Sequence, residues 1–599
     1  MESGPSMNFH RHLSTVGALL LALAPLGASG AALAPDRLVE FDIALNPRDP
    51  EGFARFLAAQ STPGTPQYGH WLTPEQYRQT FGAPDQTLAA VTQELNQAGL
   101  TVLETHAHSL HVAGAASDVA TAFRLTLQQT QARNGAERIV AGTPPVLTPA
   151  LAAAGARIVA FDSFERMRAF ARPMAGGATP KNATSPTGGY WATDLKQAYD
   201  GPSYQSLTGQ GRTIAILMSG DVQNTDIQSY FSQQGLTAPS LARVSVNGGA
   251  KYSPSNDGSF EATLDIEQSA GMAPKAAILL YLIPDLSDAS ILAGLNRIVS
   301  DNKADIVSLS FGGCEKFYSA AYNNGRDASG ALVSYEQIFE RGNAQGITFL
   351  VASGDAGGLQ CPAPAYFSKK SGQVWLAGAS APAVSPSVTA VGGTNLVTSY
   401  THGSTASTYV SENAYDDPLA PSDPYGVGVT LKGGYWGSGG GPSLYFLAPT
   451  WQSLVKTGVP MRATPDVALQ MGGCPSDAVQ PCGSNRSYVI ESFAGKNYGA
   501  VGTSASTPSF AGVVALWEQK LGGVRLGNIN QAMYQLAKNQ SLSASLKPFR
   551  QSIPGNNGLY TSGSTPYSMV LGNGTVDIRQ LIGGTALAAA GNPGTASNP

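Results

Sequence analysis

Apolar runs and amphipathic segments alternate along the chain beyond residue 212. The runs are short and rich in Ile, Leu and Val, and the segments between them show the 3.6-residue repeat of helices. Strands without a polar face are typical of a parallel sheet that helices cover on both faces. The pattern predicts an α/β fold, with strands at 213–219, 276–282, 305–311 and 346–352 and helices around residue 261, at 291–300 and at 335–344.

An earlier region, residues 36–165, has a different order of elements. Strands with one polar face are mixed there with amphipathic helices, which predicts an α+β domain of the ferredoxin-like type. The predicted elements are a strand at 38–45, helices at 51–60 and 86–98, and a strand pair at 100–103 and 109–113.

Three histidines, His106, His108 and His111, lie in this strand pair. A metal cluster is one interpretation of them. Because they alternate along a strand and the local sequence carries no group of acids, we expect exposed or pH-sensing histidines instead.

Changes in composition divide the chain into five segments. A positively charged start, an apolar stretch at 16–26 and small residues before Pro35 indicate an export signal. A Gly-, Ala-, Pro- and Ser-rich stretch without periodicity indicates a linker that is open to cleavage. The predicted segments are a signal peptide at 1–34, a first domain at 35–171, a linker with a cleavage site at 172–189, a second domain at 190–582 and a disordered tail at 583–599.

Charged residues make up 13% of the chain, about half the usual share. A chain with few acids takes up few protons on acidification, which favours stability at low pH. The formal net charge is -4, which gives no reason to expect nucleic acid or an anionic membrane as a partner. After the leader no stretch is long and apolar enough to cross a bilayer, so we expect a secreted monomer, extracellular or periplasmic.

The four cysteines all lie in the second half of the chain. An even number in an exported chain indicates two disulfides, with three possible pairings. Cys314 and Cys361 each follow a predicted strand, and the ends of two parallel strands can be neighbours. We therefore favour the pairs Cys314–Cys361 and Cys474–Cys482.

The stretch Gly502-Thr503-Ser504-Ala505 precedes a long apolar segment and places Ser504 at the predicted start of a helix. A serine there is a candidate nucleophile, and a helix cap is the other interpretation. The usual base would be histidine, but in this half of the chain only His402 occurs, in a polar loop. A Ser-His-Asp triad is therefore not expected.

Carboxylates are the other candidate bases. Glu261 and Asp265 are four positions apart, so they share one face of a predicted helix, and two like charges held so close cannot both ionise easily. A solvated acidic face is the alternative interpretation. The apolar strand that follows at 276–282 favours burial of the pair.

Glu261-x-x-x-Asp265, the turn Ser353-Gly354-Asp355 and Gly502-Thr503-Ser504-Ala505 occur in the order seen in the sedolisins, the serine-carboxyl peptidases, which the chain resembles over nearly its whole length after the leader. The resemblance implies a subtilisin-like catalytic domain at 190–582. The stretch Gln67-Tyr68-Gly69-His70-Trp71 is similar to the pro-kumamolisin type of activation domain, which implies a propeptide at 35–171 that assists folding and inhibits the enzyme.

The resemblance also implies a role for each catalytic residue. Ser504 would attack a peptide carbonyl, Glu261 would take its proton, and Asp265 would orient Glu261 and share a proton with it. Asp355, when protonated, would donate a hydrogen bond to the oxyanion together with the backbone N–H of Ser504. We expect an acid-active endopeptidase that acts on proteins or peptides and processes itself, with tripeptidyl-peptidase action as an alternative.

Sedolisins bind calcium near the C-terminus, and this chain departs from that pattern. The two aspartate positions of the family site fall on Gln551 and Ser568, whose neutral oxygens cannot replace two carboxylates. We therefore expect no cofactor.

Two other classes of protein stay open at this stage. A secreted binding protein with an inactive peptidase fold would have lost one of the four site residues, but Glu261, Asp265, Asp355 and Ser504 are all present. A conventional subtilase would need a histidine at a helix start, and the second domain has none.

Overall fold

The computed structural model describes residues 31–131, 137–161, 165–177, 188–323, 325–399, 406–480, 482 and 486–584. The predicted signal peptide lies outside these residues except for its last four positions, of which Ala31–Ala32 pairs as a strand with Gln128 and Gln129. The predicted tail also lies outside, except for the last two residues of helix Ile578–Gly584. In the described part of the chain, no helix combines the length and apolarity that crossing a bilayer requires.

The second domain is built on a large, mainly parallel sheet, as predicted. Its strands form between buried aliphatic side chains on both faces, and among the described strands the antiparallel ones lie at one edge and beside the longest strand. The strands, in spatial order, are Leu241–Ser245, Ala277–Leu282, Thr213–Met218, Ile306–Leu309, Thr348–Ala352, Thr389–Thr398, Val467–Gln470, Thr575–Val576 and Phe549–Arg550, with Tyr409–Asn413 paired to Thr389–Thr398.

Two long helices carry the candidate catalytic residues and pack against each other beside this sheet. They are Asp257–Met272 and Thr503–Lys520, and nearly all of their side chains are buried. Pro508 lies inside the second helix, where it has no N–H to donate to the Ser504 carbonyl one turn earlier. The other main helices are Ala192–Ala198, Asn224–Gln233, Asp288–Asp301, Gly330–Ala344 and Asn530–Leu542.

The first domain has the predicted α+β order. Its antiparallel sheet runs Thr101–Thr105, Ser109–Ala115, Leu38–Ala44 and Arg157–Ile158, and the chain reaches these strands in the order that a ferredoxin-like fold requires. A second small sheet joins Ala31–Ala32, Leu127–Gln131 and Glu137–Ala141. The helices are Pro50–Gln60, Pro74–Phe81, Asp85–Gln97, Ala116–Phe123 and Pro149–Ala153.

The first domain packs on helices Asp288–Asp301 and Gly330–Ala344 and on the loop around Arg525, none of which carries a candidate catalytic residue. Trp71 Nε1 donates to the Arg525 carbonyl at 3.1 Å, and Gln60 Nε2 donates to the Ala344 carbonyl at 3.1 Å. His106 Nδ1 lies 3.2 Å from Ser300 Oγ, also across this contact.

The prediction of exposed histidines was wrong for His108, which is 2% exposed, and the expected absence of acids was wrong for His111. Sheet pairing brings Asp42 to His111, with Oδ1 2.9 Å from Nδ1. Local sequence cannot show either fact, because the acid comes from a distant strand and the burial comes from the second domain.

The two predicted disulfides are confirmed: Cys314 bonds to Cys361 and Cys474 to Cys482. The predicted linker needs a correction at its start. Arg172–Gly177 forms a strand that pairs with Lys496–Val501, because the sheet of the second domain offers it a partner edge. Residues 178–187 lie outside the described part of the chain.

Candidate active site

Helix Asp257–Met272 places Glu261 and Asp265 on one face, one turn apart. Asn256 begins the helix by accepting the N–H of Gly258 at 2.8 Å. Both carboxyl groups are fully buried, so the alternative of a solvated acidic face is wrong. Burial and the adjacent Asp265 carboxyl raise the pKa of Glu261 well above its ordinary value, and burial does the same to the pKa of Asp265.

Each of the two carboxyl groups has one bonded and one open oxygen. Glu261 Oε2 accepts the backbone N–H of Ala171 at 2.6 Å, and Asp265 Oδ1 accepts the Ser310 hydroxyl at 2.5 Å. Glu261 Oε1 and Asp265 Oδ2 are buried and have no hydrogen-bond partner. Two buried carboxyl groups with open oxygens can hold a shared proton, since keeping both charged would cost several kcal/mol, on the order of the penalty for burying an unpaired ion.

Ser504 is the second residue of helix Thr503–Lys520 and is fully buried. The residue before the helix, Gly502, has φ 140°, a conformation that favours glycine and permits the sharp entry into the helix. The Ser504 hydroxyl donates to the Ser310 carbonyl at 3.4 Å, which is a long contact. It also lies close enough to Glu261 to lower the pKa of that carboxyl group, so a small rotation can redirect its proton.

Asp355 follows strand Thr348–Ala352 and faces the start of the Ser504 helix. Its Oδ1 accepts the backbone N–H and the hydroxyl of Thr503, at 2.8 and 2.7 Å. Its Oδ2 is buried without a partner, and a Cβ atom at Gly502 would lie 2.9 Å from it. Burial raises the pKa of Asp355 to about 6, against the opposing effects of Thr503, Arg172 and Arg168.

The structure therefore brings together all four residues singled out in the sequence: two on one face of helix Asp257–Met272, one after a strand end and one at the start of helix Thr503–Lys520. Because Asp355 Oδ1 already accepts the Thr503 amide, only Oδ2 is open for the expected donation to an oxyanion, and that donation, shared with the Ser504 N–H, stays a prediction.

Sequence reasoning missed three residues of this site. Ser310 bonds to Asp265 and Ser504, and Thr503 bonds to Asp355. Glu491 is fully buried, both its carboxyl oxygens have no partner, and burial together with Glu261 and Asp265 raises its pKa. A single acid within the apolar strand Tyr488–Phe493 was the available signal for Glu491.

Within the described residues, no group of three or more His, Cys, Asp or Glu side chains could hold a metal ion. A glycine-rich stretch around Tyr435–Trp436 packs beside the Asp355 turn, where the Gly437 N–H donates to the Asp355 carbonyl at 2.9 Å.

Two family models match the chain: the activation domain of pro-kumamolisin at residues 28–158 and the subtilase family at 245–551. Xanthomonalisin of Xanthomonas sp. is 28% identical over 93% of this chain, which spans 66% of its length. Sedolisin of Pseudomonas sp. is 28% identical over 92% of this chain and 87% of its own. Kumamolisin of Bacillus sp. is 30% identical over 78% of this chain and 77% of its own.

A solved structure of Pseudomonas sedolisin, in complex with two molecules of pseudo-iodotyrostatin, superposes with a TM-score of 0.54 and 27% identity. The match covers 67% of this chain and 99% of that one. The predicted subtilisin-like fold with an N-terminal activation domain is thereby confirmed. The chain belongs to the sedolisin family of serine-carboxyl peptidases, which are hydrolases, and carries the family's pro-kumamolisin type of activation domain.

Proposed function

We propose that this protein is an exported, acid-active serine-carboxyl endopeptidase that is made as a self-processing precursor. The observation that carries the proposal is the buried Glu261–Asp265 pair beside Ser504, at the start of a helix that Asp355 also faces. Every histidine in the described residues lies in the activation domain, which supports a carboxylate as the base.

The first half of the reaction forms an acyl-enzyme. Ser504 Oγ attacks the carbonyl carbon of a peptide, and Glu261 takes the hydroxyl proton and returns it to the leaving amine. Asp265 acts on Glu261 by sharing a proton within the buried pair, and Ser310 holds Asp265 in place through its hydroxyl. Water then releases the acyl group by the reverse sequence of proton transfers.

Asp355 supports this step only while it is neutral. A protonated Oδ2 can donate to the oxyanion, whereas a carboxylate there would repel it. Because the pKa of Asp355 is raised to about 6, the donor is present below that pH and is lost as the pH rises through it. This property supports activity on the acid side of neutrality.

The path of the chain supports endopeptidase action over release of tripeptides. The backbone at Ala171 contacts Glu261, and the described chain continues in both directions, through Arg166 and Met167 on one side and Arg172–Gly177 on the other. A tripeptidyl peptidase would have a substrate cleft that ends three residues before the cleaved bond, and such a cleft has no room for a chain that continues on both sides.

The same path supports the activation domain as an inhibitor. While residues 168–172 fill the cleft next to Glu261, no other substrate can reach Ser504. The contacts of Trp71 and Gln60 with the second domain keep this segment in place.

The two disulfides fit an oxidising compartment outside the cytosol. We further propose a monomer whose substrates are proteins and peptides, without nucleic acid or membrane partners.

We also propose that the calcium site of the family is absent here. The residues at its two aspartate positions do not fit the ion: Ser568 Oγ accepts the Leu571 N–H at 3.2 Å, and Gln551 Oε1 accepts the Gln540 amide at 3.0 Å. Gln551 also presents a buried Nε2 without a partner, and an amide N–H group repels a cation. In the same region the guanidinium group of Arg550 donates to the Val576 carbonyl. This positively charged side chain helps to hold the region together, which supports a fold without a bound metal ion.

The test is hydrolysis of a denatured protein between pH 3 and pH 8, with products identified by mass spectrometry. We expect internal cleavage with an optimum below about pH 6. Ser504→Ala and Glu261→Gln should abolish it, and Ser509→Ala, in the same helix, should not. An optimum at pH 8, or full activity of Glu261→Gln, would contradict the proposal, and a folded chain without any hydrolysis would favour an inactive binding protein.

A further inference from the structure

The segment that joins the two domains lies in the candidate active site as an extended chain. Arg168–Ala169 pairs antiparallel with Phe311–Gly312, with Ala169 opposite Phe311. The Phe170 N–H donates to the Ser310 carbonyl at 3.3 Å, and the next N–H, that of Ala171, donates to Glu261 at 2.6 Å. Backbone hydrogen bonds therefore set the register of this segment against the catalytic groups.

The peptide bond between Phe170 and Ala171 has the orientation of a bond about to be cut. Its nitrogen faces Glu261, the group that must protonate the leaving amine. Its carbonyl oxygen would lie 3.2 Å from a Cβ atom at Gly502, and the open Oδ2 of Asp355 would lie 2.9 Å from the same point. The oxygen that becomes negative thus lies on the side of Asp355.

The position of Ser504 agrees with this orientation. Its hydroxyl donates to the Ser310 carbonyl at 3.4 Å, and the Phe170 N–H donates to that same carbonyl. Ser504, the nucleophile, and Phe170, the residue that would be acylated, therefore both donate a hydrogen bond to the same backbone oxygen.

We infer that Phe170–Ala171 is the first bond cut in maturation, and that the side-chain contacts of residues 168–172 define the substrate preference of the mature enzyme. The inference rests on the proposed function. Prediction from composition placed the cut at 172–189, which begins one residue beyond Ala171.

Apart from water, every group that this cleavage needs belongs to the chain itself. Ser504 Oγ bonds to the Phe170 carbonyl carbon, its proton passes to Glu261, and the Phe170–Ala171 C–N bond breaks as Glu261 protonates the Ala171 nitrogen. Water then hydrolyses the ester and leaves a carboxyl group on Phe170. The products are a fragment that ends at Phe170 and a chain that begins at Ala171.

Three side chains of the segment have defined contacts. Phe170 is 3% exposed and packs over Gly312, where a Cβ atom would approach its ring to 2.8 Å, so the glycine makes room for an aromatic residue. The Arg168 guanidinium lies over the rings of Tyr425 and Trp375, at 5.6 and 6.0 Å.

On the other side of the bond, Arg172 forms an ion pair with Asp477 and lies 5.4 Å from the ring centre of Trp436. Cation–π contacts and ion pairs of this kind favour arginine over neutral side chains. The preferred sequence is therefore Arg-Ala-Phe before the cut and Ala-Arg after it.

The first test is acidification of the full-length precursor, followed by mass spectrometry of the earliest products. We expect one chain that ends at Phe170 and one that begins at Ala171. Phe170→Asp should slow the appearance of both termini at least 10-fold, because a carboxylate would enter an apolar pocket, and Leu38→Asp, at an exposed site, should not. Earliest termini at any other bond would overturn the inference.

The second test needs no precursor folding. Mature enzyme is given a synthetic peptide with the sequence of residues 165–174, and versions with alanine at Arg168 or Arg172. We expect cleavage between Phe and Ala, and a loss of about 5-fold or more in kcat/KM for each alanine version, as a lost cation–π or ionic contact would produce. The Asp477→Asn enzyme should lose its preference for Arg172 but keep that for Arg168.

The outcomes separate the two levels of the proposal. Acid hydrolysis of a denatured protein without cleavage of the peptide at Phe–Ala, or equal rates for all three peptides, would overturn the inference and leave the proposed function standing. Absence of hydrolysis in both assays would refute the proposed function itself.

Discussion

His108 is placed to couple acidification to separation of the activation domain, and His108→Phe is the variant that tests this. The ring lies in the contact between the domains, in a cavity lined by Asn296, Gln337 and Ile338 of the second domain. Neither ring nitrogen has a hydrogen-bond partner, and burial, followed by the charge of Arg341, lowers the pKa of His108 to about 3.

The direction of the effect follows from linkage. In the packed precursor His108 stays neutral down to about pH 3, whereas an exposed histidine binds a proton below about pH 6.5. The separated state therefore binds more protons, and packing loses stability as the pH falls from 6.5 towards 3. Each pH unit in that window is worth about 1.4 kcal/mol, so packing should lose about 3 kcal/mol at pH 4.5.

Other charged groups near the His108 ring do not reverse this loss of packing stability at low pH. Arg157 and His106 also lower the pKa of His108. The pKa of His111 is raised by Asp42 and Glu40, but all three lie in the activation domain and stay together when the domains separate. The contact of protonated His111 with Asp42 and Glu40 therefore stabilises the activation domain at acid pH and does not promote its release.

The assay is hydrogen–deuterium exchange of helix Gly330–Ala344 in the uncleavable Ser504→Ala precursor, corrected for the intrinsic effect of pH on exchange. Between pH 7 and pH 4.5, the opening equilibrium should increase about 100-fold more with His108 present than in His108→Phe. Phenylalanine keeps an aromatic ring next to Tyr77 and removes the titration. The exposed His70→Phe is the control and should behave like the parent. Equal pH dependence with and without the His108 ring would refute the reasoning.

Four further predictions concern the site and the stability of the fold. Asp355→Asn cannot ionise, so the fall in activity above about pH 6 should move to higher pH in a profile of kcat/KM; an unchanged profile would exclude Asp355 as the group that titrates. The Ser504→Ala precursor should stay intact at pH 4 on a gel, and any self-cleavage by it would disprove autocatalysis. A chelator should leave the Tm of the mature enzyme unchanged, and bound calcium in the purified protein would show that the metal site persists. Arg462→Met leaves the buried Asp466 without its partner at 2.6 Å and should lower the free energy of unfolding by about 3–5 kcal/mol in urea, while the exposed Arg579→Met should change it by less than about 1 kcal/mol.

Residue order and periodicity were sufficient to predict the parallel sheet. A strand such as Ile306–Leu309 has no polar face, so its sequence alone requires cover on both sides. The spacing of Glu261 and Asp265 likewise determines that they share a helix face. The Cys314–Cys361 disulfide followed from predicted strand ends, because the neighbours of a strand in a parallel sheet meet at the same edge, and Cys474–Cys482 was then the remaining pair.

The contacts among the candidate catalytic residues could not be obtained in this way. Ser310, just after strand Ile306–Leu309, and Glu491, in strand Tyr488–Phe493, are brought to the site by the fold, and neither lies in a motif with chemistry of its own. Asp355 in a Ser-Gly-Asp turn has the sequence of an ordinary surface turn, and only its burial in the folded protein raises its pKa, against the opposing hydrogen bonds from Thr503.

What the sequence by itself determined is the set of elements, since helix spacing and strand apolarity are local properties; the candidate nucleophile, base and acid came from the order of the motifs, and their roles stay a proposal. Only the tertiary structure decided which side chains are buried away from water and which of them contact each other. Packing buries His108 and Asp355, and a distant strand edge turns residues 172–177 from a flexible stretch into an ordered strand that holds Ala171 against Glu261. Desolvation and long-range hydrogen bonding depend on the whole fold, so local sequence carries no record of them.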